Sequence, residues 1–542
     1  MKMGRQNRGD RVIVGLAIFL VCFLPGRAPA EGGVEAHREV PGALSDNQAD
    51  TTSAIFIPVI LTATGHNNSF FTSELTLTNR ASEPAILNYT YTPHRGDKSY
   101  TATDRLGPLQ QKIRSDAIGY LRGLGVPIPE TGSQIGTLRV DVTGSSEVAA
   151  VVRTTTAVPE GRAGLAYPGI PGHEGFQDEA VYLCGLRQNR QDRSNVALQN
   201  MGTEGEITLR TTVFSGDAAD VGGRRLDDRT LKPGGFYQYN QVLKELGSPA
   251  QGFVKVERVE GEAPFYAYGV INDQANSDGS FVFPVSARSL AGAMGQTLPV
   301  VIEVGPFTSE LTVTNFSDEA KAVSFSVAAD AIETADATAT FVVPLAAGQQ
   351  RIIPNAIDTA RQQFGLDLPR GLAVPLFARA VGTDMSGIAI GARTGSPADP
   401  EDASRGQYSV FYTAVPRGAG FTGSAWVDGL QQNAENRSNL ALVNTGEIDH
   451  SPSVFELDIY DGETAMLVKT VTMADEPQAM VPAKSFRQIN TILRAHAPGT
   501  TQGYVRIRKV SGANPFLAYG VVNDGGSPGR RTGDGAYIPA RE

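Results

Sequence analysis

The sequence predicts an all-β chain of four tandem immunoglobulin-like β-sandwich domains in an A-B-A-B arrangement, each with one short helical turn. Three observations predict it. A phrase recurs: FTSELTLTN at 71–79 returns as FTSELTVTN at 307–315, and SNVALQN (194–200) and SNLALVN (438–444) share its plan. Each copy has Ser, aliphatic residues two and four positions later, and Asn six positions later; the serines Ser73, Ser194, Ser309 and Ser438 stand 121, 115 and 129 residues apart. A period of that size means tandem domains, because solenoid units run about 20–50 residues. The length of 542 residues agrees, since domains of about 100–150 residues give roughly four. Finally, 60 glycines, 32 prolines and a single tryptophan suit many short strands joined by turns.

The elements follow in order within each unit. The phrase itself alternates with period 2, Leu75 and Leu77 against Thr72, Glu74, Thr76 and Thr78, which predicts a half-buried strand. Its closing Asn suits a turn, because its side chain can bond nearby backbone and it tolerates positive φ. A short helix start comes next, opened by Asp116, Asn240, Asn355 and Asn490 as expected N-caps. Strands GTLRVDV (136–142), GFVKVERV (252–259) and GYVRIRKV (503–510) succeed it, whereas Pro375 interrupts the third copy and predicts an edge or displaced strand there. FYAYGVIND (265–273) and FLAYGVVND (516–524) form the penultimate strand, replaced by VAAVVRTTT and GIAIGARTG in the other two units. A Pro-containing strand closes each unit (LAYPGIP, FVFPV, VFYTAVP, AYIPA).

Units one and three carry FTSEL; units two and four carry RSN and AYGV-x-ND, so a two-domain pair is the element duplicated. The expected boundaries are 54–176, 177–288, 289–417 and 418–542, after a signal peptide at 1–30 and a disordered linker at 31–53. The pattern [RT]SN-[LV]-A-L-x-N followed by AYG-V-x-ND resembles uncharacterised tandem sandwich repeats of secreted bacterial proteins, sometimes appended to hydrolases. That resemblance implies fold and location and no defined activity. The Cys…Trp…Cys hallmark of true immunoglobulin domains is absent.

The compartment is read from the N-terminus. Lys2, Arg5, Arg8 and Arg11 precede the apolar run 12–24, and Ala28-Pro29-Ala30 supplies a small-x-small cleavage site. Thirteen apolar residues are too few to span a bilayer, so no transmembrane anchor is expected in the mature chain. Cys22 lies inside the apolar run behind Val21, which does not fit a lipoprotein signal. Residues 1–30 hold five basic side chains and one acid, so their removal takes the formal charge from −10 to −14. An acidic chain without a basic stripe repels phosphate backbones, which excludes nucleic acid as the expected partner. Only Cys184 remains after cleavage, so stability must come from packing rather than a disulfide.

Chemistry is sparse. His37, His66, His94, His173, His450 and His496 occupy non-equivalent places and form no HxH or HxxxH pair. No G-x-S-x-G elbow or phosphate-binding loop occurs, and Cys184 sits in the apolar run AVYLCGL, where a buried inert thiol is expected. A paired-carboxylate glycosidase site stays open in the sequence, although sandwiches of this size leave little room for a deep cleft.

Calcium is the one metal candidate. The turn NDQANSDG (272–279) and its counterpart NDGGSPGRRTGDG (523–535) offer Asp273, Asn276 and Asp278, and Asp524 and Asp534, as oxygen ligands. Against this, hairpin turns favour the same letters, and the spacing from Asn to the later Asp differs between the two copies. A sugar-binding face is a second candidate, through Trp426 or the alternating Tyr89/Tyr91 and Tyr237/Tyr239. The expectation is a non-catalytic secreted or periplasmic protein, a structural, adhesive or interaction module at the cell envelope whose partner is a protein or surface polymer, with no cofactor. A carbohydrate-binding module or an accessory subunit of a secreted hydrolase is the alternative.

Overall fold

The computed structural model describes residues 53–66, 69–96, 98–217, 220–327 and 339–542. The expected signal peptide and all but the last residue of the expected linker lie outside them. The described residues form antiparallel sheets with four short α-helices.

Residues 53–171 (segment I) make one nine-stranded sheet. From edge to edge its strands are Tyr100–Leu106, Ala85–Pro93, Gln134–Thr143, Ser53–Thr64, Phe70–Asn79, Val148–Val158 and Gly161–Pro168, with Gln111–Arg114 beside Phe70–Asn79 and Ile170–Pro171 beside Ser53–Thr64. The sheet is continuous because the last residues of Ser53–Thr64 pair with Phe70–Asn79 while its body pairs with Gln134–Thr143. Residues 296–416 (segment III) repeat this order, with Gln296–Val304 as the shared strand.

Residues 181–286 (segment II) and 424–539 (segment IV) split into two sheets instead. Each has a four-stranded sheet: Phe236–Tyr239, Asp192–Asn200, Phe265–Asp273, Gly279–Val282 in II, and Ser485–Ile489, Asn436–Asn444, Phe516–Asp524, Gly535–Pro539 in IV. The other sheet has six strands in II and five in IV.

The four Ser-to-Asn phrases all lie in strands, and their two polar ends have the same role each time. The strand preceding each phrase carries a β-bulge with one extra residue: between Ile57 and Ile60, Leu183 and Leu186, Leu298 and Val301, and Val427 and Leu430. The residue after each bulge donates its N–H to the phrase serine: Leu61 to Ser73, Arg187 to Ser194, Ile302 to Ser309 and Gln431 to Ser438, at 2.7–2.9 Å. A bulge takes its strand out of ladder register, and the serine hydroxyl supplies the acceptor.

The closing Asn is a knot at the other end. Its amide donates to two loop carbonyls, Glu83 and Gly107 for Asn79, Ser451 and Val481 for Asn444, and its Oδ1 accepts the N–H two residues on. None of the four has positive φ, so the expected left-handed backbone is not used; the side chain alone makes the turn.

Two expectations are corrected here. Pro375 is not in an edge strand: Leu372–Ala380 lies between Lys321–Val327 and Gln296–Val304. Pro375 stands opposite the bulge, between the register pairs Leu298↔Leu376 and Val301↔Val374, and beyond Phe377, where pairing with Lys321–Val327 has ended. No ladder bond is lost by its missing N–H. Asp116 and Asn355 cap their helices through Gly119 and Asp358 as expected, but Asn240 and Asn490 do not. There the cap positions are Gln241 and Thr491, both left-handed, and each is held by an N–H donated to the phrase asparagine, Asn195 or Asn439.

The cores cross segment boundaries. Tyr266, Tyr268 and Val270 of II pack into the core of I, while Phe265, Ala267 and Ile271 of the same strand fill the core of II. That strand is buried along its whole length, which is why FYAYGVIND reads as nearly unbroken apolar sequence. Leu517, Tyr519 and Val521 of IV do the same to III. Val151 and Ala166 of I enter the core of IV, and Phe411 of III enters that of II. The four segments therefore close into a ring.

Ser438→Ala would leave the buried N–H of Gln431 without its acceptor. The expected loss is about 1–3 kcal/mol, read as a lower denaturant midpoint in equilibrium unfolding.

Candidate functional site

The candidate ligand turns 272–279 and 523–535 lie at the seams that close the ring, where II meets III and IV meets I. Asp273 accepts the N–H of Ala275 at 2.8 Å and of Asn276 at 3.2 Å on Oδ1, and that of Gln407 of III at 3.0 Å on Oδ2. Asn276 accepts from Asp278 N–H and donates to the Gln407 carbonyl. Asp278 Oδ2 accepts from Ser409 N–H at 2.8 Å.

The other seam repeats the two cross-seam carboxylate bonds. Asp524 Oδ2 accepts from Arg162 N–H at 3.0 Å, and Asp534 Oδ2 from Gly164 N–H at 2.8 Å. Hairpin register makes Gly164 the counterpart of Ser409 and Arg162 that of Gln407. The carboxylates thus cap the outer strands of the nine-stranded sheets, Gly161–Pro168 and Gln407–Thr413, whose backbone N–H groups would otherwise be an open sheet edge.

Behind the turns sits a layer that sequence reading missed. Arg393, 1% exposed, donates to Asp192 at 2.9 Å and to Ser280 at 3.2 Å, while Arg187 pairs with Glu310 and lies 3.8 Å from Asp192. Burial works against the Arg393 charge, but Asp192, Glu310 and Asp278 hold it firmly protonated. The second seam has Arg153, Gln431, Asn436 and Glu74 at the same positions. Arg153 donates to Asn436 at 2.9 Å, Gln431 donates to Glu74 at 2.7 Å, and Asn436 donates to Gln431 at 2.9 Å. One cation and one anion are exchanged together for amides, so both seams stay balanced, as burial of charge requires.

A third contact uses the bulges. Gly185 and Gly429, at φ +86° and +73°, sit inside the bulges of II and IV, and their N–H groups reach Gln350 Oε1 of III (2.7 Å) and Gln111 Oε1 of I (2.8 Å). Thr314 and Thr78 hold those glutamines by the same oxygen. The polar row Glu74-Thr76-Thr78 and its copy Glu310-Thr312-Thr314 are therefore seam contacts, not a solvated face. The charged residue inside each otherwise apolar strand VAAVVRTTT and GIAIGARTG was the available signal, since Arg153 and Arg393 stand at the same place.

Other candidates are placed plainly. Cys184 is buried, and burial pushes its thiol up to about 12. Tyr89 and Tyr91 do not form an exposed sugar platform: both point into the core of I, at 0% and 2% exposure. Tyr239 is also buried, beneath Arg229, which lies over Tyr237 as well. Trp426 is half-buried between the guanidiniums of Arg80 and Arg506. His496 meets Glu476 at 3.3 Å and His94 meets the Phe236 carbonyl; His37 lies outside the described residues. Among the described residues, no group of three or more His, Cys, Asp or Glu side chains is gathered as a metal site.

What the arrangement does chemically is fasten. Burial raises Asp278 well above the ordinary carboxylate range, with Asp534 adding to it, and burial pushes Asp534 up to about 7. A cavity of about 10 Å³, room for one water, lies among Arg153, Arg162, Asn436, Asp524 and Asp534. Compared with known proteins, the chain matches no protein-family model and no curated protein.

Arg393→Ala would leave Arg187 alone against Asp192 and Glu310, so the layer would hold one uncompensated buried negative charge. The expected cost is about 3–5 kcal/mol, measured by chemical denaturation, with Arg393→Lys recovering part of it.

Proposed function

We propose that the chain is a non-catalytic exported protein of four β-sandwich domains of immunoglobulin-like type, alternating A-B-A-B over 54–176, 177–288, 289–417 and 418–542. It acts as a structural, adhesive or protein-interaction module at the cell envelope, in the periplasm or outside the cell.

One observation carries this reading: the buried ionisable groups gathered at the seams are spent on fastening segment to segment. Arg187, Asp192, Glu310 and Arg393 bind one another, and Asp273, Asp278, Asp524 and Asp534 bind backbone N–H groups across seams. The strand order shared by I and III and the paired sheets of II and IV support the alternating arrangement. The basic, apolar and small-residue regions of 1–30 support export. No helix among the described residues is long and apolar enough to cross a membrane.

A partner finds apolar surface on segment IV. Strand Met466–Val471 ends its sheet, and Met466, Leu467 and Val468 are exposed along it. An extended partner segment adding to such an edge gains backbone hydrogen bonds and apolar contact together.

The test is capture of native partners from an envelope extract by the mature 31–542 chain, repeated with Leu467→Lys. The expected result is a component retained by the parent and lost with the variant. A hydrolase among the retained components would assign the accessory role. Turnover of any substrate on a broad hydrolytic panel by the purified chain would overturn the non-catalytic reading.

A further inference from the structure

The two seams follow one plan, residue against residue. Strand register sets Arg153 against Arg393, both opposite the phrase glutamates, and Gly164 against Ser409 on the outer strands. It sets Val522 against Ile271, both opposite the phrase serines, and Ala536 against Ser280. Where II meets III, the Ser280 hydroxyl makes two bonds. It accepts Arg393 Nε–H at 3.2 Å and donates to the Ser409 carbonyl at 3.0 Å. One hydroxyl thus ties the buried cation to the outer strand Gln407–Thr413.

Where IV meets I, Ala536 brings no hydroxyl, yet both partners remain. Arg153 is 7% exposed and donates to Asn436, but its buried Nε finds no acceptor among the described residues. Glu74 Oε1 stands 3.6 Å from that nitrogen, beyond hydrogen-bond reach, and takes the Gln431 amide instead. Gly164 turns its N–H across the seam to Asp534, as Ser409 does to Asp278. In an antiparallel strand a residue's N–H and C=O point to the same side, so the Gly164 carbonyl is offered to the seam as that of Ser409 is.

Space opens between these two groups. Three replacements shrink the side chains there: Ile271 becomes Val522, Ser280 becomes Ala536 and Ser409 becomes Gly164. All three small residues line the cavity of about 10 Å³, and Arg153 lines it with them. Thr155 and Arg162, larger than their counterparts Gly395 and Gln407, do not close it. A buried N–H and a strand carbonyl facing one such space call for a group that accepts once and donates once. A metal cation could not accept from the N–H, a simple anion could not donate to the carbonyl, and an apolar occupant could do neither. Water does both, and the space is of water size.

We propose that this cavity is a binding site for one water molecule, which accepts from Arg153 Nε–H and donates to the Gly164 carbonyl. Solvent then supplies at the seam between IV and I the hydroxyl that Ser280 supplies at the seam between II and III.

The test is a pair of high-resolution crystal structures of the full chain, parent and Ala536→Ser. In the parent, one water is expected at about 2.7–3.2 Å from both Arg153 Nε and the Gly164 oxygen. In Ala536→Ser that water is expected to be gone, with the introduced hydroxyl bonded to the same two atoms. A dry cavity in the parent, an occupant that does not touch Arg153 Nε, or a water persisting beside the introduced hydroxyl would each overturn the proposal. The reverse exchange keeps the test open if Ala536→Ser does not fold. Ile271→Val combined with Ser280→Ala is expected to create a second water between Arg393 Nε and the Ser409 carbonyl, and a dry site there would overturn the proposal equally.

Discussion

A single hydrogen bond recurs at the root of every segment: a serine hydroxyl accepting the N–H that follows a β-bulge. The bulge bends the opening strand so that it serves the core on one side and meets its neighbour on the other, but it leaves backbone groups out of register. Ser73, Ser194, Ser309 and Ser438 satisfy one of them from the next strand. In segments II and IV the bulge also contains a left-handed glycine whose N–H points outward and is met by a glutamine of another segment. The defect that shapes the fold is thus also the socket by which the ring is assembled.

Specificity at the seams comes from polar groups placed so that no charge is left over. One seam spends four charged side chains and the other two charges and two amides, in the same four positions. A lone replacement of Arg by Gln at one of these places would have left a buried carboxylate facing no cation; the matched exchange of Arg187 for Gln431 and Asp192 for Asn436 avoids that. Apolar contact alone, such as Phe411 in the core of II, would permit sliding; the ionic layer fixes register.

Much of this was legible in the letters. Period-2 alternation and the repeated Ser and Asn placed the strand Phe70–Asn79 at 71–79, because a strand with one dry face must alternate and a knot needs its own side chain, and the matching AYGV-x-ND runs placed Phe265–Asp273. What escaped was whatever depended on a second segment. Tyr89 and Tyr91 alternate like an exposed pair, but the face they occupy is the core. Pro375 breaks the pattern of a central strand, but a bulge on the neighbouring strand removes the need for its N–H. Asp278 and Asp534 read as members of two counterpart turns; nothing in either turn announces that its carboxylate takes a backbone N–H from another segment.

The strand Phe265–Asp273 has no wet side, since I lies against one face and the rest of II against the other. A growing chain delivers I before II, so II finds its lining already made as it leaves the ribosome, and IV finds III in the same way. The last strand, Gly535–Pro539, follows Asp534 directly and packs against Gly161–Pro168 of I. Until it emerges the ring remains an open crescent, and the nascent protein is a pair of clasped couples waiting for a latch.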